Sequence, residues 1–120
     1  MEYVVTLPDT PPSFNAVGHT GNRWAWTKAK KDWQSTIETA LMVAAVPRGL
    51  DKVVARAELH FPTNRRRDEG NYRTLLEKCL GDALVNGRWL ADDTPEFFRF
   101  DRIVFALGAR KETILILTVP

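Results

Sequence analysis

The segment Lys52-Val53-Val54-Ala55-Arg56-Ala57-Glu58-Leu59-His60-Phe61 alternates, with Val53, Ala55, Ala57, Leu59 and Phe61 on one face and Val54, Arg56, Glu58 and His60 on the other. A period of two is that of a strand with one face against a core and the other half exposed. Pro62 closes the strand, and a charged turn follows. The period then changes: Tyr72, Leu75, Leu76, Cys79, Leu80, Ala83 and Leu84 form a helical stripe that predicts a helix from about Glu69 to Val85, with Asn86-Gly87 as its stop. Working outward, Glu2 to Leu7 reads as a strand, and the proline- and glycine-rich stretch Pro8 to Gly21 as a loop long enough to be functional. Ala29, Trp33, Ile37, Leu41 and Ala44 predict a first helix from about Thr27 to Val46, ended by Pro47 and Gly49. After a loop from Trp89 to Pro95, Phe97 to Leu107 and Thr113 to Val119 read as two strands joined around Gly108 in an antiparallel hairpin. The order β-α-β-α-β-β implies an α/β (α+β) fold: a small mixed sheet of about four strands with two main helices packed on it.

A chain of 120 residues with 44% hydrophobic content suffices for one core, so residues 1–120 are expected to form a single domain. A net charge of +2 excludes general electrostatic coating of nucleic acid; any such binding must come from a local patch. The one cysteine, Cys79, excludes an internal disulfide and a cysteine-rich metal site, as suits a reducing cytoplasm. It falls in the apolar stripe and reads as core. His19 and His60 have no metal-ligand spacing and read as structural. No stretch approaches the ~20 apolar residues of a membrane span, and no charged-then-apolar leader is present, so the expectation is a soluble, unexported protein.

The charged turn carries the functional signal. Arg65-Arg66-Arg67-Asp68-Glu69-Gly70-Asn71 sets three guanidiniums beside a carboxylate pair, and Trp89-Leu90-Ala91-Asp92-Asp93 brings a second pair. Hard cations such as Mg²⁺ bind through one or two carboxylates plus substrate phosphates, so the grouping suits phosphodiester chemistry. A solvated loop with weak internal ion pairs accounts for the same turn. Asn71, Thr74, Lys78 and Asp82 follow at three- and four-residue steps and share one polar ridge of the second helix, which either lines a site or carries a plain Lys78–Asp82 surface pair. Trp24 and Trp26 lie near Arg23, Lys28, Lys30 and Lys31, a pattern that serves base stacking or, more commonly, core and interface anchoring. Ser13 and Asn15 suit phosphate contact or local turn bonding. Trp89 is expected to pack and fix the loop presenting Asp92 and Asp93.

These landmarks, in this order, resemble the RusA family of Holliday-junction resolvases, small homodimeric endonucleases typical of phages and prophages. Leu7-Pro8 and Pro11-Pro12-Ser13-Phe14-Asn15 look like the family's N-terminal strand and proline-proline-serine-x-asparagine loop. Arg65-Arg66-Arg67-Asp68 with Asn71 is similar to its arginine-rich strand exit. Lys78 precedes Asp82-Ala83-Leu84 as the family's helix lysine precedes Asp-Ala-Leu, and Gly87-Arg88-Trp89-Leu90-Ala91-Asp92-Asp93 looks like its Gly-x-Trp-x-Asp-Asp loop. The resemblance implies Mg²⁺-dependent, or Mn²⁺-dependent, cleavage of four-way or other branched DNA by a homodimer in the cytoplasm, with no membrane partner. It assigns Asp68, Lys78 and Asp93 as catalytic, and Asp68, Glu69, Asp92 and Asp93 as metal ligands. It places Asn15 near the site, and together with the charge pattern read above the expected DNA contacts are Asn15, Lys30, Lys31, Arg65, Arg66, Arg67 and Asn71.

Two places depart from the family pattern. Gly70 stands where a second aspartate is usual, which leaves Glu69 as the substitute ligand. The interval from Asn71 to Lys78 is about one turn longer, an excess that either is absorbed by an added helical turn without rotating the face or leaves Lys78 about 5 Å from where the chemistry needs it. These departures keep a second reading open, a relative that binds branched DNA but cuts it poorly. A third is a structural phage protein whose acidic site is only an ion-pair cluster.

Overall fold

The computed structural model describes residues 1–14 and 23–120; the expectations for Asn15 and His19 fall outside them. The elements are β1 (Glu2–Leu7), α1 (Arg23–Val43), β2 (Val53–Phe61), α2 (Glu69–Asn86), β3 (Phe98–Leu107) and β4 (Glu112–Thr118). This is the expected β-α-β-α-β-β order, in a mixed four-stranded sheet with two helices.

The sheet order is β1-β4-β2-β3. β4 runs antiparallel to β1 and to β2, while β2 and β3 are parallel. The expected β3–β4 hairpin is therefore absent: β2 lies between the two strands. β4 carries the run Ile114-Leu115-Ile116-Leu117, of which Leu115, Ile116 and Leu117 are buried. A continuous apolar run belongs between two neighbours, and β4 takes that place between β1 and β2. The connection from β3 crosses the end of β2, where Gly108 N donates to Phe61 O at 2.9 Å. A Cβ on Gly108 would stand 3.1 Å from that of His60, so a residue without one suits the crossing. β3 is instead led beside β2 by its own entry loop, where Val53 N donates to Phe97 O at 2.9 Å.

β2 keeps the alternation read from its sequence, with Val53, Ala55, Ala57, Leu59 and Phe61 in the core and the intervening residues half exposed. Ile37 and Leu41 of α1 and Leu75, Leu76, Cys79, Leu80, Ala83 and Leu84 of α2 complete that core. α1 begins four residues before its expected start, at Arg23, because Trp26 joins Ala29 and Trp33 against the core at helical spacing. It ends at Val43 rather than Val46, as Ala45 turns to φ +55° and Val46 N donates back to Leu41 O. No helix among the described residues is long and apolar enough to cross a membrane.

The β2–β3 ladder shifts register between Ala55 and Ala57, so Asp101 and Arg102 of β3 both face the Arg56 position. Arg73 of α2 donates to the freed carbonyls Phe100 O and Asp101 O, and its guanidinium lies 5.3 Å from the Phe100 ring centroid. This contact ties the second turn of α2 to the sheet.

Candidate nucleic-acid and metal site

The N-terminal end of α2 is built by its cap. Asp68 holds an extended backbone, φ −98° and ψ 123°, and its Oδ1 accepts from Gly70 N at 3.0 Å. An N-cap carboxylate satisfies an otherwise unpaired helix N–H and complements the helix dipole. Gly70 is compatible with this local role, since a Cβ there would only touch Asp68 Oδ1 at 3.5 Å. Glu69 turns along the helix to Arg73, Oε1 to Nη1 3.3 Å.

The three arginines before the cap differ. Arg65 and Arg66 are exposed, and among the described residues neither has a carboxylate within ion-pair distance. They line a recess of about 690 Å³ with Ser13, Asp68, Asn71 and Tyr72. Arg67 turns inward: its guanidinium lies over the Phe61 ring, 3.7 Å from the centroid, and donates to Thr63 O, Arg65 O and Thr63 Oγ1 at 3.1–3.2 Å. Its bonds go to the chain rather than outward, so its first role is to shape the turn that holds Arg65 and Arg66 out.

Farther up the same helix, Lys78 Nζ lies 3.1 Å from Asp82 Oδ1. The bond to Asp82 and that residue's charge raise the Lys78 pKa above the ordinary lysine value, with Asp93 adding in the same direction and desolvation opposing. Lys78 is therefore a fixed positive charge at neutral pH, suited to stabilising an anion and unsuited to acting as a base. Asp93 approaches the helix over Gly81, whose absent side chain leaves 3.5 Å from its Cβ position to that of Asp93. Lys78, Thr74, Asp93 and Arg99 share a recess of about 370 Å³ floored by Phe98 and Phe100. Asp92 turns back, Oδ1 accepting from Asp93 N at 2.7 Å.

The loop presenting these acids is anchored by Trp89, as its sequence implied. Trp89 is 1% exposed, its Nε1 donates to Val46 O at 2.9 Å, and the Arg48 guanidinium covers its ring at 4.2 Å. Gly49 N and Leu50 N donate to Arg88 O and Trp89 O, so the loop after α1 and the loop after α2 brace each other. Gly87 lets the indole pass: a Cβ there would fall 2.0 Å from Trp89 Cζ3.

The structure thus brings Lys78 to Asp93 and sets Asp68 with Glu69 and the guanidiniums, but it keeps the two groups apart. Gly81 stands thirteen residues beyond Asp68, about 20 Å along a helix rising 1.5 Å per residue. Among the described residues no three acidic, histidine or cysteine side chains gather as a metal-binding group. The four carboxylates form no common donor set in one chain, and a cation at either pair would complete its shell with phosphate oxygens and water. Lys31 is exposed on α1, while Lys30 sits where α1 crosses α2, its carbonyl accepting from Cys79 Sγ at 3.4 Å. Burial first, with Asp82 adding, pushes the Cys79 thiol up to about 12, which leaves it a core residue without nucleophilic character. Arg73 and Arg99 are parts of this region that sequence reading missed; Arg73 falls one residue off the polar ridge, and only the fold shows that β3 runs beside it. No protein-family model matches the chain, and no curated protein matches it.

Proposed function

We propose that this chain is a RusA-like endodeoxyribonuclease that cuts branched DNA, four-way junctions above all, in a Mg²⁺- or Mn²⁺-dependent reaction. The observation that carries the reading is one face of α2. At its start Arg65 and Arg66 stand out beside an exposed carboxylate, and farther along it a lysine protonated at neutral pH stands beside Asp93. Arg65 and Arg66 hold backbone phosphates, which supplies affinity and register without reading sequence. Lys78 offsets charge that develops on the phosphoryl oxygens during cleavage. Asp92 with Asp93, or Asp68 with Glu69, would hold a divalent cation together with phosphate oxygens, and such a cation would supply an acidified water and polarise the scissile phosphate. A homodimer places two such faces on opposing strands, and the work belongs in the cytoplasm, that of a bacterial host if the chain is phage-encoded.

The separation of the carboxylate pairs favours one second reading, a protein that binds branched DNA and cuts it weakly. Incubating the chain with labelled four-way junction or linear duplex, in Mg²⁺ or EDTA, separates the two. Paired nicks near the branch in Mg²⁺ support the nuclease. Junction-selective retention without nicks supports the binder, and equal affinity for junction and duplex removes both.

A further inference from the structure

Arg67 lines the recess that carries Arg65 and Arg66, a neighbouring hollow, and a small niche of about 70 Å³ beside Phe105. The second of these, of about 650 Å³, is formed by Pro11, Pro12, Trp33, Phe61, Tyr72 and Lys111. Ser13, Arg65, Arg67 and Tyr72 border both it and the recess, so the two adjoin. The second cavity lies within the range of small-molecule sites, with aromatic and proline walls and cations at its edges. Lys111 is exposed and, among the described residues, has no carboxylate within ion-pair distance. Arg67 is held over Phe61, 3.7 Å from the ring centroid, by its bonds to Thr63 and Arg65, and a fixed planar cation is a surface on which a nucleobase stacks.

A paired base has both faces covered by its neighbours and cannot enter such a hollow. A base at a branch point has lost a neighbour and is the least costly to extrude. We infer that the hollow between the proline loop and the end of β2 receives one nucleotide unstacked from the branch, its base resting on the Arg67 guanidinium and its flanking phosphates held by Arg65 and Lys111. The inference rests on the branched-DNA reading and adds a basis for preferring junctions to duplex: only a branch supplies the nucleotide cheaply. It also gives the inward turn of Arg67 a purpose that phosphate binding does not.

The test uses four-way junctions with 2-aminopurine at each branch-point position in turn, and a linear duplex with the same label, bound by the full chain in Ca²⁺ so that strands stay intact. The expected result is a severalfold rise in emission at one or more branch positions and none in the duplex. Arg67→Lys keeps the charge and loses the plane, so it should abolish the rise while leaving the salt dependence of junction binding unchanged. Lys111→Ala, at an exposed position, guards against a folding defect: it should lower the salt slope by about one on junctions and not on duplex. Saturated junction binding with unchanged emission overturns the inference, as does a full rise in a folded Arg67→Lys chain or an unaltered slope in Lys111→Ala. Absence of any junction preference in binding removes the underlying reading itself, and this inference with it.

Discussion

The two ends of the polar face of α2 treat charge in opposite ways. At the N-terminal end, Arg65 and Arg66 are exposed and, among the described residues, have no carboxylate within ion-pair distance, while Asp68 caps the helix. Farther along, Lys78 is held by Asp82 and Asp93 packs over Gly81, so positive and negative charge stand in balance within one recess. A surface with unanswered cations attracts polyanions at a distance; a balanced recess attracts little but presents ordered groups to whatever arrives. On the proposed function the difference separates affinity from chemistry: the first end should govern how tightly DNA binds and how binding responds to salt, the second whether anything happens once it is bound.

Substitutions that break this division rank by size. Asp93→Asn should remove cleavage of a four-way junction to below detection with binding intact, because the side chain keeps its shape and loses only its charge. Lys78→Met should lower the single-turnover cleavage rate by about 10²–10³-fold, the scale for deleting one preorganised donor to a developing charge, with little change in affinity. Because the Lys78 pKa is raised, its charge is present throughout the neutral range and is lost only above the ordinary lysine value of about 10.4, so a rate profile should show no alkaline fall from this group at lower pH. The double change Arg65→Ala, Arg66→Ala should do the reverse: a salt slope of binding shallower by about two and a saturated cleavage rate near that of the native chain. A loss of saturated rate in the arginine double variant, or of affinity in Lys78→Met, breaks the division.

The scaffold under the second end gives smaller effects. Gly87→Ala forces a methyl into the Trp89 ring and should cost about 1–3 kcal/mol in denaturant unfolding, the usual scale for overpacking. Its cleavage rate should fall further than its junction affinity, since that turn leads to Asp92 and Asp93. Smallest of all, Cys79, buried and with its pKa pushed up to about 12, should resist iodoacetamide at neutral pH in the native chain and react readily once unfolded.

Periodicity made the elements legible. The strict alternation of β2 and the apolar stripe of α2 each depend on one local segment, and both segments fold as they read. Strand pairing was not legible: the same β3 and β4 segments suit a hairpin or a crossover, and the choice depends on contacts with β1 and β2 far away in sequence. The candidate site divides likewise. The polar ridge from Thr74 through Lys78 was visible in spacing, as was the packing role of Trp89. Spacing could not show that Arg67 turns inward while Arg65 and Arg66 point out, since consecutive guanidiniums in a turn are directed by backbone geometry and by the Phe61 ring. Nor could it show that Asp68 and Asp93 stand apart, which follows from the length of α2 and the level at which its return loop meets Gly81.

On the proposed function, the Lys78–Asp93 end of α2 performs chemistry on DNA gripped at the other end. The most direct measurement is cleavage of a labelled four-way junction at saturating protein, in Mg²⁺ and in EDTA, by the native chain and by Asp93→Asn. Paired nicks flanking the branch are expected from the native chain in Mg²⁺ alone, and intact junction, still bound, with Asp93→Asn. Equal nicking by the two chains, or a bound junction left whole by the native chain in Mg²⁺ and in Mn²⁺, would contradict that function.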